Sequence, residues 1–251
     1  MKSKMLKVVM LVTIFMLMVA CGNKSANGKK KYTIGTDTSF PPYEYKEGNK
    51  YTGIDIDLME AIAKLEGFEV EFKPMDFGGL IPALQSGQLD GVIAGASITE
   101  ERKKSVDFSE PYYASGLVAL VNKNNNNIKT VKDLEGKKLA VKNGTAGAKY
   151  AEDNLKGKAT IRVYEDSAST LKAVENNQAD AAFEDYPVIT YTIKTNPNLN
   201  VKVGTEKLTS SDYGFMVKKG DNKELMEKFN KGLKTLKENG EYQKIIDKYT
   251  K

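Results

Sequence analysis

The chain has 251 residues, 40% of them hydrophobic, and a formal net charge of +5 that falls to +2 without Lys2, Lys4 and Lys7. That length can bury one large core or two small ones, and the interspersed charges leave no nucleic-acid footprint, so no nucleic-acid partner is expected. With no histidine and a single cysteine, Ser-His-Asp and Cys-His nucleophile systems, histidine metal sites and internal disulfides are excluded, and no metal or other cofactor is expected.

Residues 1–20 read as a secretory signal: a lysine-bearing start and an apolar run from Val8 to Ala20 that is too short and wrongly flanked for a membrane span. Met18-Val19-Ala20-Cys21-Gly22 resembles a bacterial lipobox. That resemblance implies cleavage before Cys21 and a lipid on its thiol; the plainer alternative is a secreted protein with a stray thiol. Two acyl chains hold a protein at a membrane where one does not. Residues 21–31 are small, polar and lysine-rich, as a flexible tether would be.

Folding is predicted to start with a strand at Tyr32–Gly35, followed by a proline-stopped loop, Thr36 to Tyr43, that places Asp37 just past the strand end. Ile54, Leu58, Ile62 and Leu65 keep a helical period, Asp55 and Asp57 sit in the first turn, and Gly67 closes the helix. Phe68–Phe72 alternates as a strand, and Phe77-Gly-Gly-Leu80 opens a short helix ending by Gly87. Next comes a buried strand (Val92, Ile93, Ala94), a polar turn at Gly95, and a helical turn capped by Thr99. Tyr112–Val121 reads as an extended crossing that ends in an asparagine run.

The pattern then restarts. A capping box (Thr130, Asp133), a strand (Lys138–Lys142), a helix (Ala146–Leu155), a strand (Thr160–Tyr164), a helix capped by Ser167 and a strand (Ala179–Phe183) ending at Glu184-Asp185 follow in turn. Pro187 fits a helix first turn, Tyr213–Val217 a second crossing, and Asp221 with Glu224 a cap for the helix carrying Leu225, Phe229, Leu233 and Leu236. Strand-helix alternation throughout predicts an α/β protein with largely parallel sheets, and two such runs predict two lobes.

Four strands end in polar loops, at Asp37, at Ala94–Ser97, at Lys142–Thr145 and at Glu184-Asp185, two to a lobe. Carboxyl-end loops of parallel strands are where α/β proteins bind ligands, so the site is expected in the cleft between lobes. Only two of the 38 basic residues are arginine, Arg102 and Arg162, which singles out Arg102 as a planar fork for a carboxylate; its alternative is a solvated charge within Glu-Glu-Arg-Lys-Lys. Asp185 suits an ammonium, with the Ser97 hydroxyl and the Gly95 carbonyl completing the shells. Phe40 and Phe77 are either apolar walls or core.

The segments Gly35-Thr-Asp-Thr-Ser-Phe-Pro-Pro-Tyr43, Gly53-Ile-Asp-Ile-Asp-Leu58, Ile98-Thr-Glu-Glu-Arg-Lys-Lys104 and Lys142-Asn-Gly-Thr145 resemble, collinearly over about residues 32–250, the solute-binding proteins of polar amino acid ABC importers, the bacterial extracellular solute-binding family 3. The likeness is greatest to glutamine-binding members. It implies a two-lobed periplasmic-binding-protein-like fold of type II, each lobe a mixed sheet flanked by helices and joined by two crossing strands. Lobe 1 would comprise residues 32–111 plus 213–251, lobe 2 residues 117–207, with hinges at 112–116 and 208–212. The resemblance further implies a monomeric, lipid-anchored receptor on the extracytoplasmic face of a bacterial membrane that hands a polar amino acid to a permease subunit.

By the same resemblance, Arg102, Ser97 and the backbone at Thr145 and Ala146 take the α-carboxylate, and Asp185 with Gly95 and Ser97 takes the ammonium. Asp37 and Lys142 face the side chain between Phe40 and Phe77. An amide needs one acceptor and one donor, which Asp37 and Lys142 supply, so glutamine is the expected ligand. Glu184 stands where the glutamine pattern has histidine, and that added carboxylate favours the alternative of a cationic side chain, from arginine, lysine or histidine. An enzyme resembling cyclohexadienyl dehydratases, with Glu184 or Lys142 as acid or base, is a further alternative, and an adhesin or signalling ectodomain a third; no enzymatic activity is expected.

Overall fold

The computed structural model describes residues 28–251, so the predicted signal at residues 1–20 and the expected lipid site at Cys21 lie outside the described residues. Among the described residues no helix is long and apolar enough to cross a membrane.

The first unit runs β1 (Lys31–Asp37), the hairpin β2 (Tyr45–Glu47) and β3 (Lys50–Thr52), α1 (Ile54–Glu66), β4 (Glu69–Met75), α2 (Phe77–Gln85), β5 (Gly91–Val92), α3 (Glu100–Lys103) and β6 (Val106–Phe108). After β7 (Tyr113–Ser115), the second unit contains β8 (Leu117–Asn122), a 3-10 turn at Val131–Leu134, β9 (Lys138–Lys142), α4 (Ala146–Leu155), β10 (Thr160–Tyr164), α5 (Ser167–Glu175), β11 (Ala181–Asp185), α6 (Tyr186–Thr195) and β12 (Val201–Val203). The chain returns through β13 (Ser211–Tyr213) to β14 (Met216–Lys218), α7 (Lys223–Glu238) and α8 (Glu241–Thr250).

Each lobe is a five-stranded sheet, ordered β4-β1-β5-β14-β6 in the first and β10-β9-β11-β8-β12 in the second. The sheets are mixed. Four of the five strands in each run the same way, while the strand that has just crossed between lobes, β14 or β8, pairs antiparallel with both of its neighbours. A chain that enters a sheet from the other lobe arrives at the carboxyl edge and so must run back against the parallel set. The expected long crossings are accordingly broken in two: β7 and β13 pair with each other as a separate ribbon joining the lobes, and β8 and β14 belong to the sheets.

Local chemistry sets most boundaries. Gly67 ends α1 in the left-handed conformation, Thr99 caps α3 by accepting from the Arg102 amide at 3.2 Å, and Pro187 sits in the first turn of α6. Two predicted caps move: Asp166 rather than Ser167 caps α5, and Asn222, with no side-chain cap bond, precedes α7 in place of Asp221. Strand β5 is only two residues long, and the chain beyond it carries Gly95 and Ser97 to the cleft.

The sequence of β8 is apolar from Leu117 to Val121 because the strand is buried between β11 and β12 with helices on both faces. In the first lobe α7 lays Leu225, Phe229, Leu233 and Leu236 against α1, and Phe229 stacks on Phe215 at 4.5 Å. Each lobe thus has its own core, and the ribbon leaves the space between them to polar strand ends.

Candidate functional site

Asp37 is the last residue of β1, Lys142 the last of β9 and Asp185 the last of β11, while the turn after β5 carries Gly95 and Ser97. Both parallel sets point their carboxyl ends into the interlobe cleft, where a small, nearly closed cavity is lined by Phe40, Phe77, Gly95, Ser97, Arg102, Lys142, Thr145, Ala146, Glu184 and Asp185. Ten of the eleven expected site residues therefore share one cavity. The eleventh, Asp37, is 2% exposed and forms an ion pair with Lys142, itself 4% exposed, across the two lobes.

That pair sits in an aromatic slot. The Lys142 ammonium lies 4.9 Å from the centroid of Phe40 and 5.4 Å from that of Phe77, and Asp37 also accepts from the Thr38 amide at 2.7 Å. Phe40 and Phe77 are at once core and cleft wall: both are buried, and each still lines the cavity.

Arg102 is 8% exposed, so the reading of a solvated charge run fails for it although Glu100, Glu101 and Lys103 around it are exposed. The short helix α3 turns Arg102 inward, where its guanidinium donates to the Ser97 carbonyl at 2.7 Å and, across the cleft, to the Gly144 carbonyl at 3.1 Å. Burial pushes its pKa down to about 10, opposed by Asp185 and Tyr213, so it is charged at neutral pH. Facing it is the N-terminus of α4. Thr145 caps that ten-residue helix by accepting from Ala148 at 3.1 Å, which leaves the Ala146 and Gly147 amides with no acceptor inside the helix. A buried guanidinium beside a helix N-terminus is suited to a carboxylate.

The acidic side of the cleft is short of cations. Burial, together with the neighbouring Glu184 carboxylate, raises Asp185 to about 7, opposed by a 2.6 Å bond from the Tyr213 hydroxyl and by Arg102. Burial also raises Glu184, with Lys142 and the Asp185 amide at 2.9 Å acting against it. A ligand ammonium would relieve both carboxylates.

Sequence reasoning missed Leu117, Gly147 and Phe183, which complete the apolar lining, and the Tyr213 hydroxyl, which reaches Asp185 from the ribbon. Leu117 and Tyr213 had a signal, since each lies within a predicted crossing. Among the described residues no cluster suits a metal ion.

Two sheets closing a polar cleft over a buried guanidinium, a helix N-terminus and paired carboxylates define a receptor for a small charged solute. The chain belongs to the bacterial extracellular solute-binding proteins, family 3, whose profile matches residues 32–251. It is 36% identical over 230 residues to ABC transporter arginine-binding protein 1 of Escherichia coli, covering 89% of this chain and 92% of that one. An ancestral arginine-binding protein bound to arginine superposes with a TM-score of 0.83 at 43% identity, covering 88% of this chain and 98% of the other. The ancestral protein bound to glutamine gives 0.81 at 43% identity, with 87% and 97% covered.

The two lobes meet in backbone contact between Gly78 and Gly144. Gly144 has φ of 71°, and a Cβ on it would lie 2.8 Å from the Gly78 Cα in the other lobe. Gly144→Val is therefore expected to hold the lobes apart, raising the radius of gyration in small-angle scattering and weakening ligand binding at least about tenfold, a loss of roughly 1.4 kcal/mol. An unchanged radius and affinity would contradict the contact.

Proposed function

We propose that this chain is the receptor of an amino acid ABC importer and captures a polar L-α-amino acid, with glutamine the best-fitting side chain. The observation that carries the reading is the presence, in one cavity, of a carboxylate-binding end (Arg102 and the α4 N-terminus), an ammonium-binding end (Asp185 with Gly95 and Ser97) and Lys142 between two phenylalanines, with its ion partner Asp37 directly behind it. The backbone at Thr145 and Ala146 and the Ser97 hydroxyl share the α-carboxylate with Arg102. An amide side chain meets an acceptor in Asp37 and a donor in Lys142, so neither charge is left facing a like charge.

A second reading, a cationic side chain, is favoured by Glu184. It is a third cleft carboxylate against two cleft cations, and the arginine-binding relatives point the same way. In both readings the cleft charges serve zwitterion pairing, and no group is assigned to acid-base catalysis. Residues 32–111 with 213–251 form one moving lobe and 117–207 the other, hinged at 112–116 and 208–212, with closure driven by contacts that both lobes make to the ligand. The signal at residues 1–20 and the sequence around Cys21 support delivery to the outer face of the membrane and a lipid anchor there, beside a permease subunit.

Titration calorimetry of residues 31–251 against the twenty amino acids separates the readings. Glutamine binding tightest supports the first, and arginine, lysine or histidine the second. Arg102→Ala should abolish binding of all of them, and Arg102→Lys should not restore it, because an ammonium lacks the planar fork. Binding by Arg102→Ala as tight as wild type would refute the carboxylate assignment.

The acidic end adds a pH dependence. Asp185 must be ionised to hold an ammonium, and its ligand-free carboxyl is raised to about 7. Affinity should therefore be full at pH 8 and fall as pH drops below about 7, approaching about tenfold per unit, with Asp185→Asn removing most of the slope. An affinity flat from pH 8 to pH 5 would contradict it.

A further inference from the structure

Behind the cleft lie two carboxyls that the ligand reading does not use. Glu44 and Asp55 are both 0% exposed and lie against each other, Glu44 from the loop after Pro42 and Asp55 from the first turn of α1. Neither forms an ion pair with any described residue, and three of their oxygens, both of Glu44 and Oδ1 of Asp55, have no hydrogen-bond donor among the described residues. The remaining oxygen, Asp55 Oδ2, accepts from the Gly95 amide at 2.7 Å and from the Tyr112 hydroxyl at 2.8 Å.

Two adjacent buried carboxylates without a cation are prohibitively costly, but one proton held between them removes one of the two charges and satisfies two of the three orphaned oxygens, one on each residue. We propose that Glu44 and Asp55 share a proton and that the resulting carboxylate fixes the Gly95 peptide, making both of them positioning residues for the ammonium end of the cleft; this rests on the cleft reading above. Gly95 has φ of 52°, and a Cβ there would collide with Phe40 at 2.6 Å, so this turn has little freedom once Asp55 holds its amide. The same carboxylate holds the Tyr112 hydroxyl at the edge of the ribbon, and the Glu44 main chain is itself anchored beside the cleft, its carbonyl accepting from the Phe40 amide at 2.6 Å.

The charged and titratable groups facing the pair are Tyr43, Tyr112 and, beyond Tyr43, Tyr113 and Asp185, together with Asp37 and Lys142 on the cleft side, where Lys142 is engaged by Asp37. Burial first, then Asp55 and Asp37, raises Glu44 well above the ordinary carboxylate range, while burial raises Asp55 to about 7 against the bonds from Gly95 and Tyr112.

The sign follows from the raised folded value of Glu44. Its contribution is fully favourable below its unfolded pKa and is lost as pH rises through the folded one. Glu44→Gln keeps a donor to Asp55 and does not titrate. In ligand-free protein, chemical unfolding from pH 5 to pH 8 should show the unfolding constant of wild type rising relative to Glu44→Gln, by up to about tenfold per pH unit. In the same protein the Gly95 amide resonance should move near pH 7 as Asp55 protonates, and stand still in Asp55→Asn. L-Glutamine affinity at pH 7.5 should survive Glu44→Gln within about twofold and drop at least tenfold in Glu44→Ala. A pH-independent stability difference together with a motionless Gly95 resonance would overturn the shared proton. Failure of wild type to bind L-glutamine, with those two signals intact, would overturn the ligand and leave the shared proton standing.

Discussion

The ion pair between Asp37 and Lys142 is the contact on which the closed arrangement rests. Each charge is almost fully buried, each comes from a different lobe, and neither has another ion partner among the described residues. Removing one partner of such a pair costs about 3–5 kcal/mol, because the other is left as an uncompensated buried charge. The pair also has a topological origin. The two sheets share one strand order, and Asp37 and Lys142 end the equivalent strands, β1 and β9, second in each sheet. Two copies of one architecture facing each other bring the same strand end from both sides, and opposite charges at that place make a joint.

The rest of the cleft follows from shutting out water. Burial lowers Arg102 and raises Glu184 and Asp185, as expected when charges are moved into a confined space with too few partners. In the proposed function a zwitterion supplies one anion for Arg102 and the α4 N-terminus and one cation for the carboxylates. Glu44 and Asp55 show the same logic one layer deeper, where a shared proton takes the place of a ligand. The cleft wall at Gly95 thus has a charged ligand to hold on one side and a buried carboxylate holding it on the other.

Local chemistry was legible in the sequence. The turn Asn143-Gly144-Thr145 before α4, the cap at Thr99 and the capping box at Thr130 and Asp133 depend on residues within one turn of each other, and the structure has them as expected. The carboxyl-end rule placed the cleft, because parallel strand ends must gather on one edge. What failed depended on the other lobe. The antiparallel direction of β8 and β14 is set by where the chain re-enters a sheet, which no local pattern encodes. Arg102, by contrast, was legible through the scarcity of arginine, although it lies in a charged run of which one turn of helix points a single residue inward. Asp55 was read as a favourable charge at a helix start, although its spacing to Leu58, Met59 and Ile62 places it on the buried face.

A double-mutant cycle tests the central pair most directly: Asp37→Asn, Lys142→Met and the combination, each measured for affinity toward whichever amino acid the wild type binds most tightly. Mutual dependence predicts that the double variant loses less than the sum of the two single losses, with a coupling of about 2–3 kcal/mol, since removing both charges leaves neither stranded. Losses that add within about 0.5 kcal/mol would mean that the two residues act independently, and the joint between the lobes would have to be sought elsewhere.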